Sequence, residues 1–248
     1  MWIVILAKVN LETNDLDKVN EYASQVLEMA EHSVGLRGVA IQYLGAYHFL
    51  KGDKLKAVEL LKEAIDILEI AAPMSVDLGG ALNDLGVVSR ATQRGDLFVF
   101  YLKKAEQIYE SKLGAKHPRK QEFYQNLGTA YKDQGDSENA VLYLQKVIDY
   151  YDLNGISPDR KYINTSIFLA TEYLDLKDYE ASRERFEWLI NRFGNAPQVP
   201  ATFKAKIFSF YLLALGKSNE RGQGKVIAQK LESILPELPA VAQHAVEH

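Results

Sequence analysis

A leucine followed by a small residue returns along the chain as Leu6-Ala7, Leu44-Gly45, Leu85-Gly86, Leu127-Gly128 and Leu169-Ala170, at intervals of 38, 41, 42 and 42 residues. A near-constant period of this length restricts the chain to architectures in which one small unit is copied and stacked, because a single copy cannot bury its own apolar face. Two further markers keep the same beat. Turn dipeptides Asn14-Asp15, Gly52-Asp53, Gly95-Asp96, Gly135-Asp136 and Lys177-Asp178 follow the leucines. In such a turn Gly or Asn takes the left-handed conformation that ends one helix, and Asp caps the free N–H groups of the next. Pro73, Pro118, Pro158 and Pro200, excluded from helix interiors, lie where one pair hands over to the next.

Between these marks the apolar residues keep helical spacing, as in Val58, Leu61, Ile65 and Leu68, or Val141, Leu144, Val147 and Ile148, and no segment alternates like a strand. Four residues after the turn aspartates, Ala57, Ala140 and Ser182 are small enough to let paired helices approach, whereas Val19 and Phe100 depart from that rule. The third turn falls two residues late, which predicts a longer connection or an extended first helix. Helix pairs are expected over about 1–34, 38–72, 79–113, 121–152, 163–194 and 201–235, with 236–248 as a tail. The sixth pair is divergent: 201–217 and 225–235 are its helices, and the polar SNERGQG is its loop.

An array of this kind grows along one axis, so 248 residues impose no domain boundary, and 1–235 is expected to be one helical repeat domain. The 47% hydrophobic and 25% charged content is that of a folded chain with a sizeable core. A net charge of −4 offers no global attraction to nucleic acid or anionic lipid. Cysteine is absent, which removes disulfides, thiolate metal sites and cysteine nucleophiles and suits a reducing cytoplasm. The apolar run Trp2 to Ala7 lacks a basic segment before it and is too short for a signal peptide or membrane span. It reads as the inner face of a first helix, and a chain that starts directly in such a helix suggests a piece of a longer protein.

These residues resemble the tetratricopeptide repeat family. The best copy carries the pattern in Tyr124, Leu127, Gly128, Tyr131, Gly135, Ala140 and Leu144, and the second in Leu44, Gly45, Gly52, Ala57, Leu61 and Ala64. The period near 42 and the link Leu113, Gly114, His117, Pro118 are similar to kinesin-light-chain repeats, with Leu82-Asn83-Asp84-Leu85-Gly86 a partial match to their Leu-Asn-Asn-Leu-Ala first helix. The resemblance implies an all-α fold, a right-handed superhelix (α-solenoid) of about six antiparallel helix pairs whose first helices line a concave, peptide-binding groove. Positions two before, two after and five after each leucine form one helical stripe: Gln42, Ala46 and Phe49; Asn83, Val87 and Arg90; Gln125, Thr129 and Lys132; Ile167, Thr171 and Leu174. Amides recur on it, and an amide can hold a peptide group through both donor and acceptor. Asn126 and Asn164 lie close to the same surface. By resemblance Asn83, Gln125 and Asn126 match asparagines that contact peptide backbone, and Arg90 and Lys132 suit a carboxylate.

The expected peptide-binding set is therefore Gln42, Asn83, Arg90, Gln125, Asn126, Thr129, Lys132, Asn164 and Thr171, with no catalytic residue, metal or cofactor. His244 and His248 lack a third ligand. His117 belongs to a link, and His32 and His48 have no acid or metal partner in sequence. Gly222-x-Gly224-Lys225 lacks the remaining parts of a phosphate loop and reads as a turn. Tyr22, Tyr43, Tyr101, Tyr131, Tyr143 and Phe186 fall at packing positions, while Phe203, Phe208, Phe210 and Tyr211 crowd one terminal helix as a candidate homodimer face. The expected role is a cytoplasmic, non-enzymatic scaffold or the sensor part of a bacterial signalling protein. The alternative is a peptide-pheromone-responsive transcription regulator whose DNA-binding region lies outside this chain.

Overall fold

The computed structural model describes residues 6–7, 11, 13, 15–30, 33–92, 95–196, 199–218 and 221–238. Besides the helical residues Leu6, Ala7 and Leu11, eleven α-helices and no strand occur among them: α1 (Leu16–Met29), α2 (Val34–Leu50), α3 (Lys54–Ala71), α4 (Val76–Ala91), α5 (Gly95–Lys112), α6 (Pro118–Gln134), α7 (Ser137–Asn154), α8 (Arg160–Asp175), α9 (Tyr179–Leu189), α10 (Ala201–Lys217) and α11 (Arg221–Ile234). A π-turn over Ile190–Gly194 prolongs α9, and a 3-10 turn over Leu235–Glu237 follows α11. The chain divides into two compact units, Met1–Ala130 and Tyr131–His248. In the first, α1 to α5 pack in succession and α2 also meets α4; in the second, α7 to α11 do so and α8 also meets α10.

The turns work as their residues dictate. Gly52, Gly135 and Lys177 adopt positive φ of 90°, 73° and 62°. The next residue is an aspartate whose N–H returns to the carbonyl of His48, Tyr131 or Tyr173 at 2.8–3.0 Å, closing the helix before it. The same aspartate caps the helix after it: Asp53, Asp136 and Asp178 accept from the N–H of Lys56, Asn139 and Ala181, each at 3.1 Å. One residue thus ends one helix and starts the next, so the connection is short. All four handover prolines fall between helices or at their starts, with Pro118 opening α6 and Pro200 preceding α10. His117 prepares that opening by accepting the N–H of Arg119 on its Nδ1 at 3.2 Å.

Two expected loops are helical instead. Gly95 and Asp96 lie inside the first turn of α5, not between helices. Helix α4 ends earlier, at Ala91, where the Thr92 hydroxyl bonds the carbonyls of Val88 and Ser89. Phe98, 2% exposed, therefore takes the inward position expected four residues after the aspartate, and Phe100 points outward. The expected loop after 217 is likewise shortened, because α11 begins at Arg221 and absorbs Gly222 and Gly224. Its buried stripe Ile227, Leu231 and Ile234 favours helix, and Gln223 in its first turn accepts the Tyr211 hydroxyl at 2.9 Å.

Small residues set the spacing within pairs. A Cβ added at Gly45 would lie 2.7 Å from Leu61 Cγ; one at Gly86 would lie 3.3 Å from both Leu102 Cγ and the Phe98 carbonyl oxygen. Ala57, Ala140 and Ser182 are buried as expected, and so is Val19. The second unit has an aromatic core in which Phe186, Phe208 and Tyr211 join Ile167, Leu189 and Ile207, with Phe203 and Phe210 packed against it. The aromatic surplus of α10, expected as a dimer face, is spent largely on this core. The helical residues Leu6 and Ala7 are exposed and buried respectively; the rest of the Trp2–Ala7 run, together with His32, His244 and His248, lies outside the described residues.

Because Gly52 requires the left-handed region, Gly52→Ala should lose about 1–2 kcal/mol in urea denaturation. Lys177→Ala should be nearly neutral, since Lys177 already bears that strain. Gly45→Val should cost about 1–3 kcal/mol by forcing Leu61 away from its contact.

Candidate functional site

Two residues before Leu44, Leu85 and Leu169 the side chain is buried, and in the first unit this position meets the neighbouring first helix. Gln42 and Asn83 are each 8% exposed, and Ile167, their counterpart in α8, is fully buried in the core. Leu174, also expected on the open stripe, is in that core too. Polar groups buried at such a contact must be satisfied within the protein. Gln42 Nε2 donates to Asp84 Oδ2 at 2.8 Å, Asn83 Nδ2 to Asp84 Oδ1 at 3.4 Å, and Asn126 Nδ2 to Asn83 Oδ1 at 3.0 Å. The Gln42 and Asn83 amides therefore converge on one carboxylate, and Asn126 braces Asn83. Gly80 makes room for this crossing, as a Cβ there would sit 2.9 Å from Gln42 Nε2.

Beside this network the first unit has a cavity of about 250 Å³. Gln42, Asn83 and Asp84 form its polar side; Tyr43, Tyr109 and Phe123 form aromatic walls; Arg119 and Glu122 contribute from α6. Arg119 donates through Nη1 to the Val76 carbonyl at 3.2 Å and bonds the Tyr109 hydroxyl. Burial raises the Asp84 carboxyl to about 6, a rise that Glu122 reinforces and that the Gln42 and Asn83 bonds and Arg119 oppose. Burial likewise lifts the Tyr109 phenol above its ordinary range.

The second unit has a cavity of about 270 Å³ lined by Lys132, Thr171, Glu172 and Asp175 with Phe168 and Phe210. The ammonium groups of Lys132 and Lys206 lie 5.4 and 5.5 Å from the centre of the Phe168 ring. Lys206 also donates to Asn164 Oδ1 at 2.7 Å, and burial lowers the pKa of its amine. Glu172 is 3% exposed, accepts the Ser137 hydroxyl at 2.8 Å, and is raised by burial.

Of the nine expected residues, Gln42 and Asn83 line the first cavity, Asn126 braces Asn83, Lys132 and Thr171 line the second cavity, and Asn164 holds Lys206. The other three stand elsewhere. Arg90 lies over the Phe98 ring at 5.9 Å, Gln125 is half-buried, and the Thr129 hydroxyl is spent on the Gln125 carbonyl at 2.8 Å. Thr171 is similarly back-bonded to the Phe168 carbonyl at 2.7 Å, leaving chiefly its methyl group to face the cavity. Asp84, Arg119, Glu122, Phe168 and Lys206 were not expected. Asp84 was visible in the sequence, as the one acid in Leu82-Asn83-Asp84-Leu85-Gly86 where the resembled repeat has a second asparagine. Among the described residues no cluster of His, Asp and Glu is arranged to hold a metal, and no helix is long and apolar enough to cross a membrane.

A succession of paired helices joined by short turns is a tetratricopeptide-type fold, and comparison with known proteins agrees. Residues 121–152 match the tetratricopeptide repeat family model. No curated protein matches the sequence. Among solved structures, the nearly identical TPR-like repeats of a kinesin light chain from Podosopora anserina are similar at 18% identity and a TM-score of 0.70, over 82% of this chain and 96% of that one. BtubC (BKLC) from P. vanneervenii matches at 17% identity and 0.69, over 88% and 90%. YrrB, described as a TPR protein with an unusual peptide-binding site, matches at 16% and 0.53, over 78% and 86%. These likenesses show the fold.

For Asp84 the folded-state pKa lies above the unfolded value, so ionisation costs stability. The folded chain is favoured below the unfolded value near 3.8, loses stability as pH climbs to about 6, and changes no further above it. Asp84→Asn, which keeps an acceptor for Gln42 and gives up the longer bond from Asn83, should therefore be more stable than wild type by about 1–2 kcal/mol at pH 7.5 in urea denaturation. The difference should shrink towards zero by pH 4.

Proposed function

We propose that the chain is a docking module that holds extended peptide segments of partner proteins along its first helices, as the scaffold or sensor part of a regulatory protein. One observation carries this reading: in each unit a cavity coincides with residues of the first-helix stripe, Gln42 and Asn83 in one and Lys132 and Thr171 in the other. The tetratricopeptide-type fold supports it, and so does the peptide-binding site attributed to YrrB. In the first unit Gln42, Asn83, Arg90, Gln125, Asn126 and Thr129 are the contact set; in the second, Lys132, Asn164 and Thr171. The polar groups of the cavities are tied to one another, Asp84 to Gln42 and Asn83 in one and Glu172 to Ser137 in the other, in support of a binding surface.

Probing an array of random-sequence peptides with the purified full chain tests this. Peptides should be captured, and those captured should bind the double variant Gln125→Ala/Lys132→Ala about ten-fold more weakly in calorimetry, a loss near 1.4 kcal/mol. Absence of capture, or affinity indifferent to these substitutions, would overturn the assignment.

A further inference from the structure

We propose that the cavity of the first unit receives one basic side chain, lysine or arginine, of the docked peptide; this deepens the peptide-docking reading and rests on it. At about 250 Å³ the space is small for a cofactor or drug-sized ligand but ample for one long side chain. Its walls are Tyr43, Tyr109 and Phe123, 8%, 3% and 1% exposed. Aromatic walls suit a methylene stem and attract a cation to their faces. The cavity presents the carboxylates of Asp84 and Glu122 to the charged tip.

The balance of charge excludes the opposite ligand. Arg119 is the one cation among the described lining residues, and its bonds to the Val76 carbonyl and the Tyr109 hydroxyl tether it to the wall. Two carboxylates against one guanidinium leave the cavity negative when Asp84 is ionised, so an anionic group would be repelled. Among the described residues no Lys or Arg forms an ion pair with Asp84. Its oxygens are instead fixed by Gln42 and Asn83, themselves more than nine-tenths buried. A carboxylate so held, at a cost to stability, is preorganised for a cation arriving from outside. The titratable groups facing Asp84 are Tyr43 from α2, Tyr109 from α5, and Arg119 and Glu122 from α6. Of the acids and bases among these and Asp84, the Asp84 carboxyl is the one brought to about 6, so binding should follow its ionisation.

The test uses the ¹⁵N-labelled full chain titrated with four probes: the Nα-acetyl N-methylamides of lysine, arginine and norleucine, and glycine N-methylamide. The lysine or arginine probe should shift the amide signals of Gly80, Asn83 and Asp84 saturably, with norleucine inert. Binding should be about ten-fold weaker at pH 5 than at pH 7.5, the ratio set by a group titrating near 6. Asp84→Asn should abolish the shifts, and Glu122→Gln should weaken them. Equal shifts with norleucine, shifts that survive Asp84→Asn, or no shift at this cavity would overturn the proposal. So would a response to glycine N-methylamide alone, which would assign the cavity to a free α-amine. The peptide array separates this from the docking reading. Capture indifferent to Lys and Arg sinks the basic-side-chain proposal and leaves docking standing, whereas probe binding without any peptide capture overturns docking and with it the assignment of this cavity to a docked peptide's side chain.

Discussion

The closest approach within a helix pair is the contact on which the rest depends. Gly45 meets Leu61, and Gly86 meets Leu102 and the Phe98 backbone, each sixteen residues or fewer along the chain. In the second unit Ala170 and Phe186 occupy the corresponding positions and share one core. With no side chain or a single methyl group on the first helix, the second can lie against it closely enough for branched side chains to interlock. Dispersion contacts and apolar burial then accumulate over the full length of both helices. The turn makes this local. An aspartate that ends one helix by its N–H and caps the next by its carboxylate fixes the pair with few residues to order.

Contacts between successive first helices are of another kind. At the position filled by Ile167 in α8, α2 and α4 place Gln42 and Asn83. An apolar residue there would seal the contact at no polar cost. The amides instead demand partners, find them in Asp84 and Asn126, and in doing so keep a half-buried carboxylate beside an open cavity. A network of this kind gives up stability that an apolar contact would supply. Natural sequences break a packing rule in this manner where a surface must do something else. The second unit shows a similar compromise, with two lysines against Phe168 and a buried Glu172 held by Ser137.

Much of the fold was legible in the sequence because its rules are local. Helix period, turn aspartates, handover prolines and small residues at Ala57, Ala140 and Ser182 all concern residues a few positions apart, and the structure places them as read. The misreadings at Gly95-Asp96 and Gly222-Gly224 have one cause. A glycine signals a helix end only when the apolar stripe does not continue through it, and the inward residues Phe98, Ile227 and Leu231 carried both helices past their glycines.

The candidate site was only half legible. Gln42, Asn83, Lys132 and Thr171, which line the two cavities, could be placed on one stripe because helical spacing assigns a side chain to a face. That Asn83 and Asp84 would both be drawn into one network with Gln42 and Asn126, or that Lys206 would reach the ring of Phe168, depends on contacts about forty residues apart. The sequence by itself determined the helices, their punctuation and their pairing, since each follows from backbone chemistry over a single turn of chain. Only the tertiary structure decided which polar groups are buried and which line a cavity, because burial and the solvation cost of a charge are set by neighbours that spacing along the chain cannot specify.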